Sequence, residues 1–189
     1  MVPLALKPAA RWTPGQARGD EGMPTYRDAN PSDAAVLAAF FRDSFSATFG
    51  HLYAPEDLAA FLAQSPPERW RAELTDPGYV VRLAEQDGRL LGFAKLGPPA
   101  LPGAPSSAVE LRQLYVAEAA QGTGVAPTLM DWVLATARAR GAAELWLSVY
   151  VDNHRARRFY ARYGFEDVGP YAFMVGGHED EDRLMRLRL

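Results

Sequence analysis

Apolar residues recur at helical spacing just after Asn30-Pro31-Ser32-Asp33, where Val36, Leu37, Phe40, Phe41 and Phe45 make one stripe. The four residues in front carry capping chemistry, so a helix is predicted from about Asp33. Thr25 to Ala29 before it reads as a short strand. Pro55-Glu56-Asp57 opens a second helix with Leu58, Phe61 and Leu62 on its apolar face, and Pro66-Pro67 breaks it. Glu68 to Leu74 reads as one more helical piece, closed by the turn Asp76-Pro77-Gly78. The pattern then changes. Tyr79 to Ala84 and Leu90 to Leu96 read as strands of a hairpin turning at Gln86-Asp87-Gly88. Gly97 to Ser107, rich in proline and glycine, is a loop, and Val109 to Val116 is a third strand.

In the second half, Val125, Leu129, Val133, Leu134 and Ala137 form a helical stripe that Gly141 closes. Leu145 to Val151 is a nearly unbroken apolar run, as expected of a strand covered on both faces. Arg155 to Tyr163 is a short helix ended by Gly164. Phe165 to Val175 and Arg183 to Leu189 are the last strands. The run Glu179-Asp180-Glu181-Asp182 between them reads as a solvated turn, with attraction for a cation as the alternative. A strand–helix–strand–helix–strand order predicts an α/β or α+β domain built on one sheet.

Composition bounds this picture. Met1 to Gly22 holds three prolines and three glycines with no sustained period, so a flexible tail is expected there, with the domain over 23–189 and Met23 as a candidate start. The net charge of -3 argues against a nucleic-acid partner. Without cysteine there is no disulfide framework, thiolate metal site or thiol nucleophile, and His51, His154 and His178 lack metal-ligand spacing, so no metal is expected. No apolar run is long enough for a membrane span and Pro3, Lys7 and Pro8 interrupt any signal-peptide core, so a soluble, cytoplasmic protein is expected.

The strongest chemical signal is a strand, the turn Gln121-Gly122-Thr123-Gly124-Val125-Ala126, and a helix. Helix starts offer unpaired N–H groups and a positive dipole end, and glycine lets backbone approach a phosphate. The bland alternative is an ordinary glycine turn. The segment is neither a Walker motif nor the dinucleotide fingerprint, because no Gly-Lys-Ser/Thr follows and Pro127 takes the third glycine position. With no G-x-S-x-G, a serine hydrolase is not indicated.

Three segments in order, a strand ending Leu114-Tyr115-Val116, a Q/R-x-x-G-x-G/A turn met by Gln121, Gly124 and Ala126, and Asn153-x-x-Ala156-x-x-Phe159-Tyr160 with Gly164-Phe165, resemble the GCN5-related N-acetyltransferase (GNAT) superfamily. The resemblance is specific from Val109 to Phe165 and looser from Thr25 onward. It implies a mixed, mostly antiparallel sheet, splayed in the middle and flanked by helices on both faces. It implies acetyl-CoA as cosubstrate and direct attack by a primary amine in a ternary complex. Leu114 and Val116, with Tyr115 between, would pair through main chain with the pantetheine arm. Gly122, Gly124, Val125, Ala126 and Thr128 would cradle the pyrophosphate, Thr123 adding a hydroxyl, while Pro127 removes one donor. Asn153 would bond pantetheine amides or cap a helix, and one of Arg155, Arg157 and Arg158 would reach a phosphate. Glu110 is the candidate general base and Tyr160, or Tyr163 in a shifted register, the candidate general acid; a strand glutamate paired with Arg112 and a core aromatic are the plain alternatives. On an ideal strand Glu110, Arg112, Leu114 and Val116 share a face, which a bulge would change.

Phe41 to Gly50 followed by Pro55-Glu56-Asp57-Leu58 is similar to the first helices of bacterial polyamine (spermidine/spermine-type) N-acetyltransferases, which implies a polyamine or other small amine acceptor. A protein N-terminus or lysine as acceptor, a non-catalytic acyl-CoA sensing module and a homodimer stay open.

Overall fold

The structure, a computed structural model, describes residues 22–189, so the predicted tail lies outside the described residues except for Gly22. Strand β1 (Thr25–Asp28) leads into a 3-10 turn, Pro31–Asp33, and helix α1 (Ala34–Phe49). The capping box forms as the sequence predicts: Ser32 N–H donates to Asn30 Oδ1 at 3.0 Å and Asn30 N–H to Asp33 Oδ2 at 2.8 Å. The buried face of α1 is Ala34, Leu37, Ala38, Phe41, Phe45 and Phe49, whereas Val36 is exposed. The stripe is rotated from the predicted one because two alanines, not larger residues, let the helix lie close to the sheet. Each buried phenylalanine contributes about 1.5–3 kcal/mol. Helices α2 (Pro55–Leu62) and α3 (Pro67–Thr75) both start on proline, where the missing N–H has no partner to lose.

Strands β2 (Val80–Gln86) and β3 (Arg89–Gly97) form the expected hairpin, with Asp87 and Gly88 both at positive φ. Then come β4 (Val109–Val116), α4 (Val125–Ala139), β5 (Glu144–Tyr150), α5 (His154–Arg162), β6 (Glu166–Val175) and β7 (His178–Arg188). They build one seven-stranded sheet in the order β1-β2-β3-β4-β5-β7-β6. Only β4 and β5 run parallel, paired solely at Val109–Leu145 and Glu110–Trp146. Beyond those pairs the two strands part, which is the expected splay. Helices α4 and α5 bury Leu129, Val133, Phe159 and Tyr160 against Leu111, Leu114 and Val116 on one face. Helices α1 to α3 bury Phe41, Phe45 and Trp70 against Phe93 and Tyr115 on the other.

Two expectations are overturned. The acidic run is not a turn but the start of β7, which begins at His178 rather than Arg183. Strand alternation turns Glu179 and Glu181 outward and Asp180 and Asp182 into the α1 side, where Asp182 is fully buried. The turn is instead Gly176-Gly177, which rests on α2: Gly177 N–H donates to Asp57 Oδ1 at 2.6 Å, and a Cβ on Gly176 would lie 2.5 Å from Asp57 Cα. The second correction is in β4. A bulge lets Lys95 face Gln113 while Leu96 faces Leu111, leaving Arg112 as the extra residue. Leu111, Leu114 and Val116 therefore point to α4, and Glu110, Gln113 and Tyr115 to the opposite face. Glu110 does not share a face with Leu114 and Val116.

Candidate functional site

The turn after β4 has the geometry that anions select. Gly122 and Gly124 sit at φ 78 and 95, open to left-handed backbone only because they lack a Cβ. Gly124 caps α4, so the N–H groups of Val125 and Ala126 begin the helix without intrahelical acceptors. Among the described residues Gly122 and Gly124 N–H likewise make no backbone hydrogen bond, whereas Thr123 N–H is turned to Ala120 O at 3.4 Å. Two predicted donors are spent. Thr128 N–H gives the first intrahelical bond, to Gly124 O at 3.1 Å, and its hydroxyl donates to the same oxygen at 3.0 Å. The Thr123 hydroxyl donates to Ala120 O at 2.6 Å. The cradle is thus Gly122, Gly124, Val125 and Ala126.

Gly122, Gly124 and Ala126 line a groove of about 520 Å³ whose other wall is α5, through Arg155, Arg158, Phe159 and Arg162. The three arginines lie one helical turn apart on one face. They form no ion pair among the described residues, and burial followed by repulsion from Arg158 and Arg162 lowers the Arg155 guanidinium. Arg157 turns away, donating to Val151 O at 3.0 Å and approaching Asp167 at 3.4 Å. Arg162 was not singled out in the sequence, although its spacing from Arg155 and Arg158 was the available signal. Asn153 takes the capping alternative: its Oδ1 accepts from Ala156 N–H at 3.1 Å. Gln121 reaches back to Val116 O at 3.5 Å.

The groove runs into the split between β4 and β5. Ala117 N–H donates to Leu91 O on β3 at 2.7 Å. By strand alternation the main chain of Tyr115 also faces β3, and the N–H and C=O groups of Leu114 and Val116 face the open side, where β5 does not pair with them. An extended amide-bearing chain is what such an edge accepts. Tyr160 of α5 is completely buried against Phe159 and Phe165, yet its hydroxyl has no hydrogen-bond partner among the described residues. Burial raises its phenol well above the ordinary value, so it holds its proton. Burial, and after it the neighbouring Tyr160 phenol, hold the Tyr115 phenol well above its ordinary value. Tyr163, the alternative, is half-exposed and packs on Phe159.

Across the sheet, facing α1 to α3, lies a cavity of about 230 Å³ lined by Phe45, Phe61, Glu110, Tyr115, Ser148 and Tyr171. Glu110 is buried; its Oε2 accepts from Ala100 N–H at 2.8 Å and its Oε1 lies 3.4 Å from Arg112 Nε, the pairing offered as the plain alternative. The proline-rich loop that supplies Ala100 packs Leu101 on Trp146 and Leu184, closing one end. At another end Lys95 Nζ lies 2.6 Å from Glu73 and 4.1 Å over Trp70, and burial lowers it to about 8. Among the described residues no group of three or more histidine, aspartate or glutamate side chains could hold a metal ion, and no helix is long and apolar enough to cross a membrane.

Comparison with known proteins agrees with this geometry. The acetyltransferase (GNAT) family matches residues 38–165. An uncharacterized N-acetyltransferase of Mycobacterium tuberculosis (strain H37Rv) is 39% identical over 155 residues, 82% of this chain and 96% of that protein. Among solved structures, the PaiA N-acetyltransferase from Thermoplasma acidophilum, in complex with coenzyme A, shares the fold with a TM-score of 0.72 at 20% identity, over 89% of this chain and all of that one. The acetyltransferase YncA from Salmonella typhimurium, with acetyl-CoA, has a TM-score of 0.66 at 23% identity, over 89% of this chain and 95% of that one.

Proposed function

The chain belongs to the acetyltransferase (GNAT) family and is an acetyl-CoA-dependent N-acetyltransferase, and from that premise we propose that it acetylates a small primary amine held in the cavity beneath the β4–β5 split. One observation carries the reading: the main-chain edge of Leu114 and Val116 opens between an N–H cradle on one side and a small cavity on the other.

The residues fit the donor. Gly122, Gly124, Val125 and Ala126 direct N–H groups at the pyrophosphate, and Arg155, Arg158 and Arg162 add the cationic wall. Leu114 and Val116 pair with the pantetheine amides, Tyr115 keeping the strand in place with its buried ring. Bound acetyl-CoA supplies the thioester carbonyl that the amine attacks. Tyr160 keeps its proton at neutral pH and is the donor to the departing sulfur in this reading. Glu110 stands on the acceptor wall, its carboxylate oriented by Ala100 and Arg112.

The cavity volume is below the roughly 300 Å³ at which pockets for drug-sized molecules begin, which favours a small acceptor over a folded protein. A polyamine is the first acceptor to try. Thiol release from acetyl-CoA is measured with spermidine, 1,4-diaminobutane, butylamine, glucosamine and an alanine-initiated peptide. Release with at least one small amine is expected. In Tyr160→Phe, kcat falls by about 10² or more while the melting temperature holds or rises, since the lost hydroxyl made no hydrogen bond. Silence across all five amines sinks the reading.

A further inference from the structure

Asp182 is the least explained group in the molecule. It is fully buried, and neither carboxylate oxygen has a hydrogen-bond partner among the described residues. An unpaired buried carboxylate is among the most expensive groups a fold can carry. Among the described residues no cationic side chain pairs with it: Lys95 pairs with Glu73, Arg112 with Glu110, and Arg183 with Asp167. Its own neighbours are acidic or phenolic. Asp182 stands opposite Tyr150 of β5 and Tyr171 of β6 in register. The charge of Asp182 is felt by Tyr53, Tyr115, Tyr150 and Tyr171, which therefore ring it. Asp180, two residues earlier on the same face, accepts from the Tyr53 hydroxyl and lies 3.3 Å from His178 Nε2. The Ser148 hydroxyl is nearby but outside hydrogen-bond geometry.

Position matters as much as isolation. Ser148 and Tyr171 line the acceptor cavity, and Asp182 pairs in register with Tyr171 and lies on the same face of the sheet, directly behind that lining. Glu110 is less free to accept a proton from a ligand, since a main-chain N–H already occupies one of its oxygens.

We propose that Asp182 receives the reactive ammonium of the acceptor and takes its proton, with Tyr160 as the proton donor to sulfur; this rests on the acetyl-transfer reading above. The balance is direct. One proton leaves the ammonium for Asp182 and passes from there to solvent. The freed nitrogen lone pair forms the C–N bond at the thioester carbonyl, and the C–S bond breaks. The sulfur takes the Tyr160 proton, and a second N–H proton, released as the amide forms, restores the phenol. Burial pushes the Asp182 carboxyl up to about 6, between an ordinary carboxylate and an amine, as a proton acceptor working near neutrality requires.

The test compares the wild type, Asp182→Asn and Glu110→Gln in thiol release with the five amines named above, over pH 5 to 9. For amines that turn over, kcat/KM of the wild type should fall below an inflection near pH 6. Asp182→Asn should lose about 10² or more in kcat/KM and lose the inflection, with acetyl-CoA binding by calorimetry within threefold of wild type. Glu110→Gln should retain the inflection. Activity of Asp182→Asn within threefold of wild type overturns the proposal and leaves acetyl transfer standing, and so does a wild-type profile flat between pH 5 and 7. No thiol release with any of the amines overturns both.

Discussion

A single buried carboxylate sets much of what can be measured on this protein. Asp182 ionises near pH 6 when folded, against 3.8 in an unfolded chain. Between those values the folded protein keeps a proton that the unfolded chain has released, so stability falls as pH rises, and the deficit is complete above pH 6. A shift of that size corresponds to about 2–3 kcal/mol. Asp182→Asn should therefore melt higher than the wild type at pH 7, by about 4–12 °C, and lose that advantage at pH 4, as read by calorimetric scans. A variant that melts lower at pH 7 contradicts the account. Activity and stability are opposed at this one side chain, which is common where a site keeps a group poorly solvated for chemistry. Tyr160 shows the same opposition in milder form, as a buried hydroxyl left without a partner.

At the scale of elements, the amphipathic helices and the glycine turn were legible in the sequence, and the start of β7 and the bulge in β4 were not. The stripe Val125, Leu129, Val133 and Ala137 is the buried face of α4, and Gly124 is its cap. The β7 start was hidden because four consecutive acids look solvated; only their alternation, two inward and two outward, is strand-like, and period-2 patterning is hard to see when both faces carry charge. The bulge at Arg112 was hidden because it arises from pairing with β3, which no local residue choice announces. On α5 the charge-rich stretch resembled a plain solvent face, while its spacing places Arg155, Arg158 and Arg162 along the cradle. Replacing Arg158 by Ala should weaken acetyl-CoA binding about three- to tenfold, and raising the salt concentration should narrow the gap between variant and wild type. Calorimetric titrations at 50 and 500 mM NaCl check both; equal affinity at low salt would remove α5 from the donor site.

Seen whole, the sheet is two ladders held side by side by two residue pairs, with separate hydrophobic clusters on its two faces. A ligand lying along the Leu114–Val116 edge adds pairing where the protein has least. Acetyl-CoA at a hundred times its dissociation constant should stabilise the fold by about 2.7 kcal/mol and raise the melting temperature by about 5–10 °C. Hydrogen exchange should slow most at Leu114 and Val116, and protection confined to α1 and α2 would place the ligand elsewhere. The two sides of the split also differ in what they are made of. The donor side works through peptide groups at Gly122, Gly124, Leu114 and Val116, which survive most changes of side chain. The proposed acceptor cavity is lined by side chains, from Phe45 and Phe61 to Ser148 and Tyr171. Sequence drift can therefore rewrite what is acetylated while leaving the acetyl source untouched, and a directed library confined to the α1, α2 and β7 positions is the economical route to new acceptors on this scaffold.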